Sequence, residues 1–137
     1  EGICLAASFD EVREYPAAHF IVQEFIAEAE GKDLRIFVVE GEAVAIMERK
    51  AQPGEFRANV ELGASVRSVQ VPNEVIQVAI AAVKALKLDY AGVDIIESKR
   101  GPLVLEVNAN PGFKTLEKVS GVNIAEALIQ FAVRRSR

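Results

Sequence analysis

The sequence predicts an α+β fold, a mainly antiparallel sheet packed by helices. Three observations carry that expectation. Short β-rich runs come in pairs around turn residues, first at Gly41 and again at Lys99-Arg100-Gly101-Pro102. Apolar residues recur at helical spacing after Pro72 and after Asn123. The 137 residues, half of them hydrophobic and 26% charged, suffice for one domain with a real core, and contain no repeat, low-complexity tract or linker.

Residues 3–7 are expected as a short strand. Ser8 then begins a brief helix, with Glu11 as its capping-box partner and Pro16 at its close. Residues 20–26 form a strongly β-forming run that ends in charged residues. Residues 33–39 alternate, with Leu34, Ile36 and Val38 on one face and Asp33, Arg35 and Phe37 on the other. Gly41 turns the chain back into a second strand, residues 43–49. Residues 51–63, with Pro53-Gly54 and no sustained period, read as a loop.

Pro72 opens the best-patterned helix, in which Val75, Ala79, Val83 and Leu86 recur through Leu88. A hairpin follows, and Asn110-Pro111-Gly112 breaks its second strand. A short helix over residues 115–119 stops at Gly121. Asn123, with Glu126 as capping partner, starts a final helix through Ile124, Leu128, Ile129, Ala132 and Val133. Arg134 and Arg135 close it, where positive charge suits the dipole.

Composition removes several function classes. A net charge of −4, with no Lys/Arg cluster before the last four residues, argues against a nucleic-acid partner. The longest apolar run, residues 78–83, is far short of a membrane span. The single cysteine, Cys4, rules out an intramolecular disulfide and fits a reducing compartment, so a cytoplasmic location is expected. No signal-peptide pattern opens the chain.

The richest candidate chemistry lies in the second hairpin. If its turn centres on Arg100, Asp94 lies opposite Glu106, and alternation puts Asn108 on the same face. Val93, Ile95, Leu105 and Val107 then point the other way. Like charges directly opposed across a ladder are destabilising, so this face calls for a cation. Oxygen-only ligands suit a hard ion, and Mg²⁺ is usually held by one or two carboxylates completed by substrate phosphates. A solvated strand face is the plainer alternative.

Residues 20–26, followed by Asp33 and Arg35, read either as a strand leaving the core or as an edge whose free backbone groups bind a planar base. Arg57 and Asn59 lie on a loop, where an arginine fork suits phosphate or carboxylate if the loop is extended. His19 has no acid or cysteine cluster near it in sequence, and Cys4 has no local base, so both are expected to be structural, Cys4 as buried filler. No Ser/His/Asp order, Walker loop or dinucleotide fingerprint occurs.

Taken together, five segments resemble the ATP-grasp ligases, most closely the RimK type, the ribosomal-protein α-L-glutamate ligases. They are Gln23-Glu24-Phe25-Ile26, Gly31-Lys32-Asp33-Leu34-Arg35, Gly54-Glu55-Phe56-Arg57-Ala58-Asn59, Ala91-Gly92-Val93-Asp94-Ile95 and Gly101-Pro102-Leu103-Val104-Leu105-Glu106-Val107-Asn108, in the family's order and spacing. The resemblance covers essentially the whole chain, residues 1–137. It implies an adenine hinge at Gln23, Glu24, Phe25 and Ile26, with Asp33 on the ribose side of ATP. It places Arg57 and Asn59 against the phosphates and acyl-phosphate, and Arg35 near the reacting groups. It gives Asp94, Glu106 and Asn108 two Mg²⁺ (or Mn²⁺) ions, bridged by Glu106. The implied activity is amide formation through an acyl-phosphate made from ATP, with glutamate added to a protein or peptide acceptor. Such phosphoryl transfer needs alignment and charge neutralisation more than covalent help.

Departures accompany the resemblance. The family's loop Gly-x-Gln-Gly-x-Gly survives only as a tail, Glu1-Gly2-Ile3-Cys4, with Glu for Gln and Cys for Gly. Its upstream phosphate-binding lysine and N-terminal domain have no counterpart, and Asn110 stands where serine is common. The chain is therefore expected to be the C-terminal part of such an enzyme, with little turnover by itself. Three alternatives stay open: a non-catalytic nucleotide-binding or assembly module, a structural domain, and another branch such as a D-alanine–D-alanine-like or cyanophycin-like ligase. Homo-oligomerisation is also left open, since family members often assemble.

Overall fold

A computed structural model describes residues 3–16, 19–29 and 31–136. Its strands are Lys32–Val39 (β1), Glu42–Lys50 (β2), Ser65–Ser68 (β3), Tyr90–Ser98 (β4) and Gly101–Asn108 (β5). They form one antiparallel sheet in the order β3-β2-β1-β4-β5. The helices are Phe9–Arg13 (α1), Asn73–Ala85 (α2), Lys114–Ser120 (α3) and Ile124–Arg135 (α4).

The alternation of β1 builds a core on each face of the sheet. Leu34, Ile36 and Val38 meet Val75, Ala79 and Val83 of α2 and Ala91, Val93 and Ile95 of β4. Phe37 and Val39 turn the other way, onto Ala45 and Met47 of β2, Leu116 of α3 and Ile124 of α4. Aromatic edges extend this second core: Phe37 lies 5.8 Å from Phe113, and Tyr90 lies 6.2 Å from Phe131. The sheet is thus covered on both faces, by α2 on one and by α3 and α4 on the other. Glu40 and Gly41, at φ of 49° and 79°, make the two-residue turn between β1 and β2, in the left-handed region that suits a hairpin.

The capping expectations hold. Ser8 Oγ accepts from Glu11 N–H at 3.3 Å, and Asn123 Oδ1 accepts from Glu126 N–H at 2.9 Å. Gly121, at φ 73°, ends α3 in a left-handed cap. At the end of α4, Arg134 pairs with Glu40 and Arg135 with Asp89, pinning the helix to the β1–β2 turn and to the start of β4.

Four expectations are corrected. Residues 3–7 form no strand, and Ile3 and Leu5 are exposed. The run 20–26 also stays outside any ladder, with Phe20, Ile21, Val22 and Phe25 exposed. Strand propensity needs a neighbouring strand to be realised, and no described strand pairs with it. Leu86 is exposed because α2 ends at Ala85 and Lys87 takes a left-handed conformation. Cys4 is exposed, not buried filler. The strand β3 was not expected: its four residues carry too little apolar pattern to announce it. Glu1 and Gly2, part of the glycine-loop tail, lie outside the described residues.

Candidate active site

On the face that carries α3 and α4, each central strand changes character along its length. In β1 the sequence runs from Val39 and Phe37 to Arg35 and Asp33; in β2, from Ala45 and Met47 to Arg49; in β4, from Tyr90 through Gly92 to Asp94. The apolar ends lie under the C-terminal helices, and the ionic ends sit side by side beyond them. Register makes the juxtaposition, since Asp33 faces Arg49 and Arg35 faces Asp94.

These four residues form one ion-pair network. Arg35 donates Nε and Nη2 to the two oxygens of Asp94, both at 2.6 Å. Arg49 donates in the same way to Asp33, at 2.7 and 2.6 Å, and its Nη2 also reaches Asp94 Oδ2 at 2.8 Å. Asp33 and Arg49 are each 8% exposed and Asp94 is 5% exposed. Burial is the largest influence on Asp33 and pushes its carboxyl up, against the pull of Arg49. Burial alone would lower Arg49, but the hydrogen bonds and charges of Asp33 and Asp94 outweigh it and hold the guanidinium firmly charged. No buried side-chain nitrogen or oxygen among the described residues lacks a hydrogen-bond partner. Full pairing is what lets such charges stay out of water, and removing one partner from such a pair costs about 3–5 kcal/mol.

The second hairpin extends the ionic end onto β5. Asp94 pairs with Glu106, and Gly92 pairs with Asn108. The turn is Lys99-Arg100, half a residue earlier than expected; a bulge between Asp94 and Ile95 restores the expected partners. Leu105 is left without a partner in the ladder and joins neither core, whereas Val93 and Ile95 are buried and Val107 packs against them. Glu106 is exposed, without a hydrogen-bond or ion-pair partner among the described residues. Asn108 Oδ1 accepts from Asn110 N–H at 2.9 Å, which fixes its carboxamide. Pro111 presses on Gly92 so closely that a Cβ there would lie 2.8 Å from Pro111 Cβ.

Two carboxylates and a carboxamide therefore converge, as expected. The cations on Asp94, however, are guanidinium groups. Among the described residues no group of three or more His, Cys, Asp or Glu is disposed to hold a metal ion. The donor set is too small for an all-protein cage, and would suit a hard divalent cation only with a bound phosphate supplying the remaining oxygens.

The other expected site residues gather around the hairpin tip and the long loop. Glu24 accepts from Arg100 Nη2 at 2.7 Å, and Glu28 accepts from Lys99 N–H at 3.2 Å. Phe25 meets Phe56 edge-on at 6.0 Å. A cavity of about 110 Å³ opens beside Asp33, between Glu28, Lys32, Glu48 and Glu97. Gln23 is exposed and Ile26 is buried. Arg57 and Asn59 do not converge on one place. Arg57 donates Nη2 to Glu55 at 2.7 Å, and Asn59 caps the 3-10 turn Val60–Leu62 by accepting from Glu61 N–H. His19 is exposed.

Arg49 escaped the sequence reading. Its signal was the parity of β2, since Ala45, Met47 and Arg49 share the face that carries Asp33.

The chain and its fold have counterparts among known proteins. The RimK-like ATP-grasp domain family matches residues 1–132. A probable alpha-L-glutamate ligase of Shewanella pealeana is 53% identical over 112 residues, 82% of this chain and 24% of the relative. One of Xanthomonas euvesicatoria pv. vesicatoria is 52% identical over 122 residues, 87% of this chain and 41% of the relative. The chain thus spans less than half the length of these curated relatives. Among solved structures, the ATP-grasp ligase PsnB complexed with minimal precursor matches with a TM-score of 0.61 and 25% identity, over 78% of this chain and 35% of that one. D-alanine–D-alanine ligase from Bacillus anthracis complexed with ATP matches with a TM-score of 0.51 and 25% identity, over 72% and 33%.

Proposed function

The chain belongs to the RimK-like ATP-grasp family, and from that membership we propose that it is the nucleotide- and metal-binding part of an ATP-dependent carboxylate–amine ligase. The observation that carries the proposal is the ionic end of the sheet, where Asp33, Arg35 and Asp94 share one buried network with Glu106 opposite Asp94. In this reading residues 23–26 receive the adenine and Asp33 lies on the ribose side. Arg57 and Asn59 serve the phosphates, for which Arg57 exchanges its Glu55 partner for phosphate oxygens. Asp94, Glu106 and Asn108 hold Mg²⁺, as a pair of ions or with Mn²⁺ in its place, and Arg35 stands beside the reacting groups.

The chemistry asks little covalent work of the protein. A bound divalent cation supplies neutralisation of phosphate charge. Arg35 and Arg57 add fixed positive charge as the terminal phosphoryl group passes to a substrate carboxylate, and an amine then displaces phosphate to leave an amide. The names of the relatives support glutamate as the amino acid added. PsnB, described in complex with a minimal precursor, supports a peptide or protein acceptor. A cytoplasmic setting suits a reaction that consumes ATP; among the described residues no helix is long and apolar enough to cross a membrane.

Calorimetry with Mg·AMP-PNP tests the reading. Nucleotide binding is expected to need the metal and to weaken at least about tenfold in Glu106→Gln, a loss of one metal carboxylate. Affinity indifferent to EDTA and to that substitution would overturn it.

A further inference from the structure

Arg49 has no part in the reading above, yet it is the group that joins its two halves. Its Nη2 lies 2.6 Å from Asp33 Oδ2 and 2.8 Å from Asp94 Oδ2. Arg35 Nη2 also donates to Asp94 Oδ2, so that oxygen receives two guanidinium protons and has no in-plane lone pair left for a cation; Oδ1, which accepts only from Arg35 Nε, keeps a single one. Charge points the same way. Arg35, Arg49, Asp33 and Asp94 sum to zero, and Glu106 opposite Asp94 brings these five residues to −1. One net negative charge is little attraction for a strongly hydrated dication, which gives up its water reluctantly.

We propose that Arg49 weakens metal binding at Asp94 in the absence of nucleotide by leaving the carboxylate one open site, so that metal loading is coupled to the phosphates. Resting on the nucleotide-and-metal reading, the argument runs through competition. Phosphate oxygens bring the negative charge that the network lacks, and they offer the arginines an alternative acceptor. Arg49 is also anchored on Asp33, the carboxylate assigned to the ribose side. A ligand touching Asp33 therefore acts on Asp94 through one shared guanidinium, with no intervening residue. Arg35 alone would leave Asp94 Oδ2 half open; Arg49 closes it.

The test is binding of Mn²⁺ alone, followed by electron paramagnetic resonance on the intact protein, with Mg·ADP binding measured in parallel. Wild type is expected to bind Mn²⁺ without nucleotide more weakly than either Arg49 variant. Arg49→Gln is expected to bind Mn²⁺ alone at least about tenfold more tightly, one unit charge at contact range being worth more than that even at a high effective dielectric. The pair Asp33→Asn/Arg49→Gln keeps the total charge while removing the contact with Asp94, together with the Arg49–Asp33 pair. It also spares the fold a buried unpaired carboxylate, so it serves if Arg49→Gln alone does not fold. It is expected to gain Mn²⁺ binding as well.

Mn²⁺ binding by wild type as tight as in the variants overturns this role of Arg49. So does absence of a gain in the double variant, which would leave total charge as the only control. Failure of wild type to bind Mg·ADP would instead defeat the functional reading, whatever the Mn²⁺ arms gave.

Discussion

Asp94 faces Glu106 only because a bulge corrects a turn that is out of phase. Near the turn Ser98 pairs with Gly101 and Ile95 with Val104; past the bulge, Asp94 pairs with Glu106 and Gly92 with Asn108. Without that one-residue shift the three polar residues would not share a row. Bulges commonly re-aim side chains next to functional sites, and this one aligns both acids over the ionic end of the sheet.

The two acids differ in what they support, and their substitutions should separate. Asp94 is buried and holds two guanidinium groups, so Asp94→Ala leaves both without their shared acceptor and is expected to cost about 3–5 kcal/mol. Glu106 is exposed, so Glu106→Gln should stay within about 0.5 kcal/mol of wild type while losing metal-dependent nucleotide binding. Thermal unfolding beside calorimetry reads both. Equal stability of the two variants would contradict the role of Asp94 in the network.

Gly92 should be intolerant of any side chain. A Cβ there would meet Pro111 Cβ at 2.8 Å, with Arg35 Cδ at 3.9 Å. Pro111 is buried and follows the Asn108–Asn110 turn, so it cannot yield without dragging Asn108 out of its row. Gly92→Ala is expected to destabilise by about 1–3 kcal/mol, as overpacking does, and to weaken metal-dependent nucleotide binding as well. A variant with wild-type melting and binding would mean that the exit loop moves freely.

Much of this fold is legible in the sequence alone. Strong alternation in 33–39, caps at Ser8 and Asn123, and the two hairpins come from local rules that tertiary context did not override. The pairing of Asp94 with Glu106 was anticipated from a turn centred on Arg100; the observed turn is half a residue earlier and the bulge cancels the difference. What sequence could not supply was partnership. Residues 20–26 have strand propensity but no described strand to pair with. Arg49 gains its meaning from a neighbour on β1 and another on β4, two strands that no local window joins. The like charges of Asp94 and Glu106 suggested a metal, and it is arginines that occupy Asp94; nothing in a one-dimensional pattern ranks a guanidinium against a dication.

The tip of the second hairpin offers a contrast between stability and binding. Arg100 pairs with Glu24 at 2.7 Å, with both side chains more than half exposed. Such a surface pair is worth at most about 1 kcal/mol, so Arg100→Ala should melt close to wild type. It does remove a tether from the segment assigned to the adenine. Nucleotide affinity is therefore expected to fall by a few fold with metal dependence intact, which isothermal calorimetry resolves. An unchanged affinity would detach Glu24 from nucleotide binding.

Glu55 gives the clearest dependence on pH. The side-chain hydrogen bonds of Arg57, joined by the backbone N–H groups of Arg57 and Phe56, hold its carboxyl down at about 2. A carboxyl lowered in the folded state stabilises the loop above its ordinary value, about 4.3, and loses that contribution as pH falls toward the lowered one. The Glu55–Arg57 contact should accordingly be complete at neutral pH and open only in strong acid. Titration of the Glu55 carboxyl carbon by NMR should give a midpoint near 2; an ordinary midpoint would mean that Arg57 does not hold it. Nucleotide should then move the midpoint upward, because a phosphate that takes the fork of Arg57 strips Glu55 of its largest stabilising partner. If saturating nucleotide leaves that midpoint where it was, Arg57 has kept Glu55, and the phosphates must find their arginine elsewhere.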